Sequence, residues 1–120
     1  MPISQRAGGT ITLQASEIEI GSVEIEGAGT ATLSNVNDSA TTQTILALNT
    51  SRKNAIVVND SVQFLYLAYA ATATTTAFTW LISPGQNWNM LADTGWLYTG
   101  VLSGIWVADG DGAARITELT

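Results

Sequence analysis

The feature that most constrains the fold of this chain is an alternation of apolar and polar residues with a period of two. It recurs in short runs between Thr10 and Leu119. Successive side chains of a β-strand point to opposite faces, so this alternation is typical of strands with one buried face. No stretch of about ten residues or more keeps apolar residues at helical spacing without a β-branched residue or a glycine. The chain is therefore predicted to be all-β, with more than about 40 % strand and under about 10 % helix.

Turn residues divide these runs into many short strands. The predicted strands are TITLQ, EIEI, VEIE and TATL in the first third, then Thr44–Leu48, Ala55–Val58, Val62–Ala70, Ala77–Ile82, Leu97–Gly100, Val101–Ala108 and Ala113–Leu119. Asn59-Asp60-Ser61 and Ser83-Pro84-Gly85 are predicted turns. Many short strands with turns between them predict an antiparallel β-sandwich or a jelly-roll-like barrel.

The length of 120 residues suits one modest core. The stretch SNVNDSA, from Ser34 to Ala40, separates a glycine-rich first third from a more apolar remainder. The strands of the first third are too short and too rich in glycine to be stable as a lone hairpin. We therefore predict a β-rich docking and oligomerisation arm at residues 1–36 and a β-sandwich module at residues 37–120.

Composition excludes several classes of function. The chain has no cysteine and no histidine, which removes disulfides, thiolate metal sites and Ser-His-Asp relays. Only four Lys and Arg residues oppose ten Asp and Glu residues, a balance that argues against binding nucleic acid. No stretch approaches the roughly 20 apolar residues that span a membrane. We expect no enzyme activity, no cofactor and no membrane partner.

Asp109-Gly110-Asp111-Gly112 raises the possibility of a calcium loop, which its spacing does not support. With Asp109 at the first position of such a loop, Ala114 would stand where glycine is required and Thr120 where a bidentate glutamate is required. We predict instead that this segment closes a hairpin between Val101–Ala108 and Ala113–Leu119, with glycines at positive φ. No metal site is expected.

The segment SEIEIGSVEIE places four glutamates on one face if Gly21-Ser22 forms a hairpin turn. Like charges opposite one another are destabilising, so either a cation or a basic partner meets this face, the strands pair between subunits, or the face is simply solvated. The candidate partner interface consists of Glu17, Ile18, Glu19, Ile20, Val23, Glu24, Ile25 and Glu26.

The aromatic residues suggest a second set of contacts. Phe64, Phe78, Trp80 and Trp106 are predicted core residues. Trp88 and Trp96 lie in polar, loop-like sequence, so they are predicted to be exposed interface residues or, alternatively, to bind sugar.

The last two thirds of the chain, from Asn49 to Thr120, resembles small structural proteins of bacteriophage virions. The resemblance rests on NTSRKNAIVVNDS, LYL, LISPG, YTGVLSGIW and GAARITEL, which occur in that order. The segment GQNWNMLADTGW departs from it, because a shorter link with proline is usual there. The resemblance implies a β-sandwich, no catalytic residues and a location in the virion, assembled in the bacterial cytoplasm.

We therefore expect a capsid decoration, or cement, protein that binds the outer head as a homo-oligomer, with a trimer favoured. Its partner would be the major capsid protein or another virion protein. The alternatives are a tail or fibre-adaptor component and, from another class, a carbohydrate-binding module that uses exposed tryptophans.

Overall fold

The structure is a computed structural model that describes Gly27 and residues 29–120. This part of the chain contains eight strands and one π-helical turn, Met90–Thr94. The strands are β1 (Ala31–Asn37), β2 (Gln43–Leu46), β3 (Asn54–Asp60), β4 (Leu65–Ala68), β5 (Trp80–Ile82), β6 (Asn87–Asn89), β7 (Leu102–Trp106) and β8 (Ala113–Leu119). Of the described residues, 43 % lie in strands and 5 % in helix, as the alternation predicts.

The strands form two four-stranded antiparallel sheets that pack into a β-sandwich. Sheet 1 has the order β1-β8-β3-β6 and sheet 2 the order β2-β7-β4-β5. Of the consecutive strands, only β4 and β5 pair with each other as a hairpin. Each of the other six connections carries the chain from one sheet to the other. This strand order is that of a jelly roll, which confirms the predicted fold class.

Sheet 1 joins segments that are far apart in sequence. β8 lies between β1 and β3 and pairs with both along its whole length, with Ile116 opposite Ser34 on one side and Val57 on the other. The ladder continues beyond β1 and β8, because Gly29 N donates to Thr120 O at 3.3 Å and Thr120 N donates to Thr30 O at 2.9 Å. The two ends of the described chain therefore lie side by side.

The core between the sheets is built around two fully buried tryptophans. Trp88 comes from β6 in sheet 1 and Trp106 from β7 in sheet 2. Trp106 Nε1 donates to Asn59 Oδ1 at 3.1 Å, and Asn59 Nδ2 donates to the carbonyls of Gln63 and Ile82. Because these groups satisfy one another, a buried amide is tolerated among apolar side chains. The remaining core residues include Val57, Leu65, Leu67, Ile82, Met90, Leu102 and Ile116.

The predicted hairpin across Asp109–Gly112 is wrong. β7 belongs to sheet 2 and β8 to sheet 1, so this segment carries the chain from one sheet to the other. Among the described residues, the glycines with positive φ are Gly85 and Gly95. Gly112 is required for a different reason, since a Cβ there would lie 2.5 Å from Ser61 Cα and 2.6 Å from Asp60 O.

Several other predictions need correction. Asn59 and Asp60 belong to β3 rather than to a turn, Leu97–Gly100 is not a strand, and β6 was not predicted. The Ser83-Pro84-Gly85 turn is confirmed by the hydrogen bond from Gln86 N to Ser83 O at 3.0 Å.

The predicted boundary between arm and module falls within β1, since Ala31–Asn37 pairs with β8. The described sandwich thus begins at Ala31 rather than at residue 37. The oligomerisation role of the preceding residues stays a prediction, and residues 1–26 lie outside the described part.

Candidate functional site

An open groove of about 570 Å³ lies along one side of the sandwich, between edge strand β5 and the segment that follows the π-helical turn. Four of the residues that line it are aromatic. The lining residues are Tyr69, Thr79, Trp80, Asp93, Thr94, Trp96, Leu97 and Tyr98. We call this feature the aromatic groove. Its volume lies in the range typical of small-molecule sites, and its mostly apolar lining with a few polar groups is also typical of them.

Trp96 lines this groove and directly follows a hydrogen-bonded turn. Its side chain is 75 % exposed. The π-helical turn before it is capped by Asn89, whose Oδ1 accepts from Ala92 N at 3.0 Å, and ends at Gly95, whose φ of 76° favours glycine. Thr94 Oγ1 donates to Met90 O at 2.6 Å and accepts from Trp96 N at 3.2 Å. Local hydrogen bonds therefore fix the backbone of a tryptophan whose own side chain is mostly exposed.

Stacked rings form the floor of the groove. Tyr69 and Tyr98 stack with their ring centroids 4.5 Å apart and their planes 6° from parallel. Buried Trp88 meets Tyr69 edge to face at 6.1 Å. The Tyr98 backbone is held in turn, because its N–H points at Met90 Sδ at 3.2 Å. The floor is thus supported by contacts with the core.

A buried arginine anchors the segment that ends the groove. Arg52 is 1 % exposed, and its Nε donates to Glu118 Oε2 at 2.7 Å. Its Nη1 donates to the carbonyls of Tyr98 and Gly100 at 2.8 and 3.0 Å, and its Nη2 donates to Ala47 O at 2.6 Å. We call these contacts the Arg52 clamp. They fix three chain segments to one planar guanidinium, which supplies several donors in a rigid fork.

Among the described residues that line the groove, Asp93 is the only charged one. Asp93 Oδ2 accepts from Asn89 N at 2.8 Å, and the side chain is exposed. Thr79 Oγ1 accepts from Tyr69 N at 2.9 Å and still carries a hydroxyl proton. The groove therefore offers broad aromatic surface together with a carboxylate and hydroxyl groups.

A second surface, the outer face of sheet 2, carries no charged residue on any of its four strands. Tyr66 lies between Leu81 and Ile105, and Phe78 packs edge to face on Tyr66 at 4.9 Å. Phe64 and Val107 flank the inward-pointing pair Leu65 and Trp106, so the alternation places them on the outer side. We call these six residues the charge-free face: Phe64, Tyr66, Phe78, Leu81, Ile105 and Val107. Four of them, Phe64, Phe78, Leu81 and Val107, are between 42 % and 54 % exposed.

Carboxylates gather at the loops of one end and bind the backbone there. Asp109 Oδ1 accepts from Ala40 N at 2.7 Å, and buried Asp38 Oδ2 accepts from Ser61 Oγ at 2.7 Å and from Gly112 N at 3.2 Å. Within the described residues, no group of three or more possible ligands is arranged to hold a metal ion. These aspartates hold the loops between the sheets together.

The predicted site residues fall into three groups. The eight arm residues Glu17, Ile18, Glu19, Ile20, Val23, Glu24, Ile25 and Glu26 lie outside the described residues. Trp96 is exposed, as predicted. The prediction that Trp88 is exposed is wrong, because Trp88 lies on β6 and is completely buried.

The aromatic core prediction holds only for Trp106. Phe64 and Phe78 are 43 % and 42 % exposed because they lie outside the strands, and Trp80 is 36 % exposed because β5 is an edge strand. Sequence reasoning therefore missed Trp80, Tyr69 and Tyr98 as groove residues. The sequence gives only a weak indication of these groove residues. Each is an aromatic residue close to a strand end, and core residues are just as often found there.

No known protein family, curated protein or solved structure matches the chain. In the described part of the chain, no helix has the length and apolar character needed to cross a membrane. The fold and these two surfaces define the class, a jelly-roll sandwich with two candidate contact sites.

Proposed function

We propose that this chain is a structural protein of a bacteriophage particle, a capsid decoration protein that docks on the outer head as a homo-oligomer, with a trimer favoured. The jelly roll is an architecture that viral capsid proteins and lectins share. The sequence resemblance over Asn49–Thr120 points to the same class of protein. The partner is the major capsid protein or another virion protein.

The observation that carries this proposal is the charge-free face. Soluble domains are designed with about 25–35 % charged residues of both signs on their surfaces, because charge keeps them from associating. Here an entire sheet has none, and partly exposed Phe78 and Leu81 lie beside the half-buried Tyr66 and Ile105. Large exposed apolar patches mark sites of protein interaction, and aromatic residues are enriched at the cores of such interfaces. The face therefore suits permanent contact with an apolar surface of a shell protein.

The test is attachment to particles that lack this protein. The variant Phe64→Lys/Val107→Lys places two charges on the charge-free face at exposed positions, so it should fold as the parent does. We expect the parent to co-sediment with particles and the variant to lose at least about tenfold in affinity, because a buried unpaired charge is costly. The matched control is Leu33→Lys, which changes an exposed leucine on the opposite sheet.

Two results would overturn the proposal. One is unchanged attachment of the double variant, and the other is failure of the parent to bind particles at all. Gold-labelled protein imaged on intact particles separates the head from the tail. Label confined to the tail would favour the alternative, a tail or fibre-adaptor component.

A further inference from the structure

We propose that the aromatic groove is a binding site for a neutral glycan, separate from the charge-free face. The proposal goes beyond attachment to the particle and does not depend on it. It rests on the pre-organised turn of Trp96, the partly exposed Trp80 and the carboxylate of Asp93.

The ring surfaces fit the apolar side of a sugar. A pyranose ring presents a face of C–H groups that packs against an aromatic ring, and its hydroxyls extend from the edge. Trp80 and Trp96 are 36 % and 75 % exposed, although both line one groove. The fixed backbone around Trp96 lowers the entropy that binding would otherwise cost. The exposed ring of Trp96 is thus available for contact with a ligand.

The polar groups fit the hydroxyls of a sugar. The exposed carboxylate of Asp93 has acceptor capacity beyond the bond from Asn89 N, and Thr79 adds a hydroxyl. A few polar groups that fix the orientation of a ligand on an apolar surface are the usual composition of a small-molecule site.

Charge narrows the ligand class. The lining that the described residues form holds one carboxylate and no Lys or Arg, and the whole chain has a net charge of −6. Sugars that carry carboxylate, phosphate or sulfate would therefore be repelled. A quaternary ammonium ligand needs aromatic faces around the cation. In this groove Tyr69 and Tyr98 stack against each other at 4.5 Å, so the two rings do not enclose a space between them. We take a neutral glycan as the ligand class, because its C–H faces and its hydroxyls match the aromatic surface and the polar groups of the described lining.

The experiment is calorimetric titration of the full chain with neutral hexasaccharides of glucose, mannose and N-acetylglucosamine, each at millimolar concentration. An acidic galacturonate hexasaccharide, choline and a decaproline peptide are titrated in parallel. We expect at least one neutral hexasaccharide to bind and the three comparison ligands not to bind.

Variants place the binding in the groove. Trp96→Ala should weaken it by at least about tenfold, as for an aromatic residue at the centre of a contact. Asp93→Asn should weaken it by a smaller factor, because an amide oxygen still accepts from Asn89 N and from a sugar hydroxyl. The matched control Phe64→Lys/Val107→Lys should bind glycan as the parent does.

If none of the three neutral hexasaccharides binds, the proposal is overturned. It is also overturned if choline, the peptide or the acidic sugar binds more strongly than every neutral hexasaccharide. Binding that Trp96→Ala leaves unchanged also overturns it. Failure of this proposal and failure of the particle proposal remain distinguishable, since each variant set is expected to affect only one of the two assays.

Discussion

Replacing Arg52 with methionine should destabilise the fold far more than any other loss of one ion pair in the described sandwich. Methionine has a similar length and no polar end, so it keeps much of the packing and removes the donors. The Arg52 clamp then leaves the carbonyls of Ala47, Tyr98 and Gly100 and the carboxylate of Glu118 without the guanidinium.

The expected cost can be worked from these contacts. Breaking a buried ion pair by removing one partner costs about 3–5 kcal/mol, because the remaining charge loses its compensation. Glu118 relieves part of this cost, since its side chain is 13 % exposed and reaches some solvent. The orphaned carbonyls would each add about 1 kcal/mol if water did not reach them. We therefore expect Arg52→Met to lower the free energy of unfolding by about 3–5 kcal/mol, a large part of the 5–15 kcal/mol typical of a domain.

The assay is urea unfolding followed by tryptophan fluorescence, with the free energy extrapolated to zero denaturant. The chain supplies its own control, Arg115→Met. Arg115 Nε lies 3.0 Å from Asp60 Oδ2, close to the 2.7 Å of the Arg52 pair, but its two side chains are 50 % and 61 % exposed. Exposed pairs contribute about 0–1 kcal/mol, so this variant should change little.

A difference of less than about 1 kcal/mol between the two variants would refute the reasoning, because burial would then not decide the strength of the pair. The double variant Arg52→Met/Glu118→Gln gives a further check. This double variant should be more stable than Arg52→Met, since an uncharged amide replaces the carboxylate that has lost its partner.

Two further predictions concern the glycine contact and the start of the sandwich. Gly112→Ala should destabilise the fold by about 1–3 kcal/mol, measured as a lower urea midpoint, because the new Cβ meets backbone atoms of Asp60 and Ser61. The control is Gly110→Ala, which should destabilise the fold less, since its Cβ would meet only a side-chain oxygen of Asp38 at 3.0 Å. An equal cost at the two positions would contradict the close approach. A chain that starts at Gly27 should unfold cooperatively, whereas a chain that starts at residue 37 loses β1 and should be clearly less stable. If the chain that starts at Gly27 still attaches to particles at full occupancy, residues 1–26 are not the docking arm.

The sequence predicts the fold class because alternation and turn residues are local properties. β8 matches its predicted bounds from Ala113 to Leu119, and the turn at Gly85 has the positive φ that its position requires. The pairing of strands is not local. The alternation of β7 and β8 is the same whether the two strands form a hairpin or lie in different sheets, so the sequence alone favoured the shorter connection, which is wrong.

The candidate site was harder to predict for a related reason. The NWN of β6 has the polar neighbours of a loop, yet it pairs with β3 and turns Trp88 inward. The five residues of the following π-helical turn, Met90–Thr94, lie between this buried tryptophan and the segment that exposes Trp96. Whether a side chain is buried depends on which strands pair and on which face of the sheet the side chain lies. Strand pairing in turn depends on contacts between segments that are far apart in the sequence.

The position of β8 between β1 and β3 also sets the order in which the chain can fold. A growing chain that has reached Asp60 contains β1 and β3, but these two strands do not touch in sheet 1, since the strand that joins them is made more than fifty residues later. Contacts between segments so distant in sequence slow folding, and unpaired edges stay open to other chains in the meantime. β3 and β6 can pair before β8 is made, but sheet 1 is complete only when β8 joins β1 to β3, so the last strand to be synthesised completes the fold.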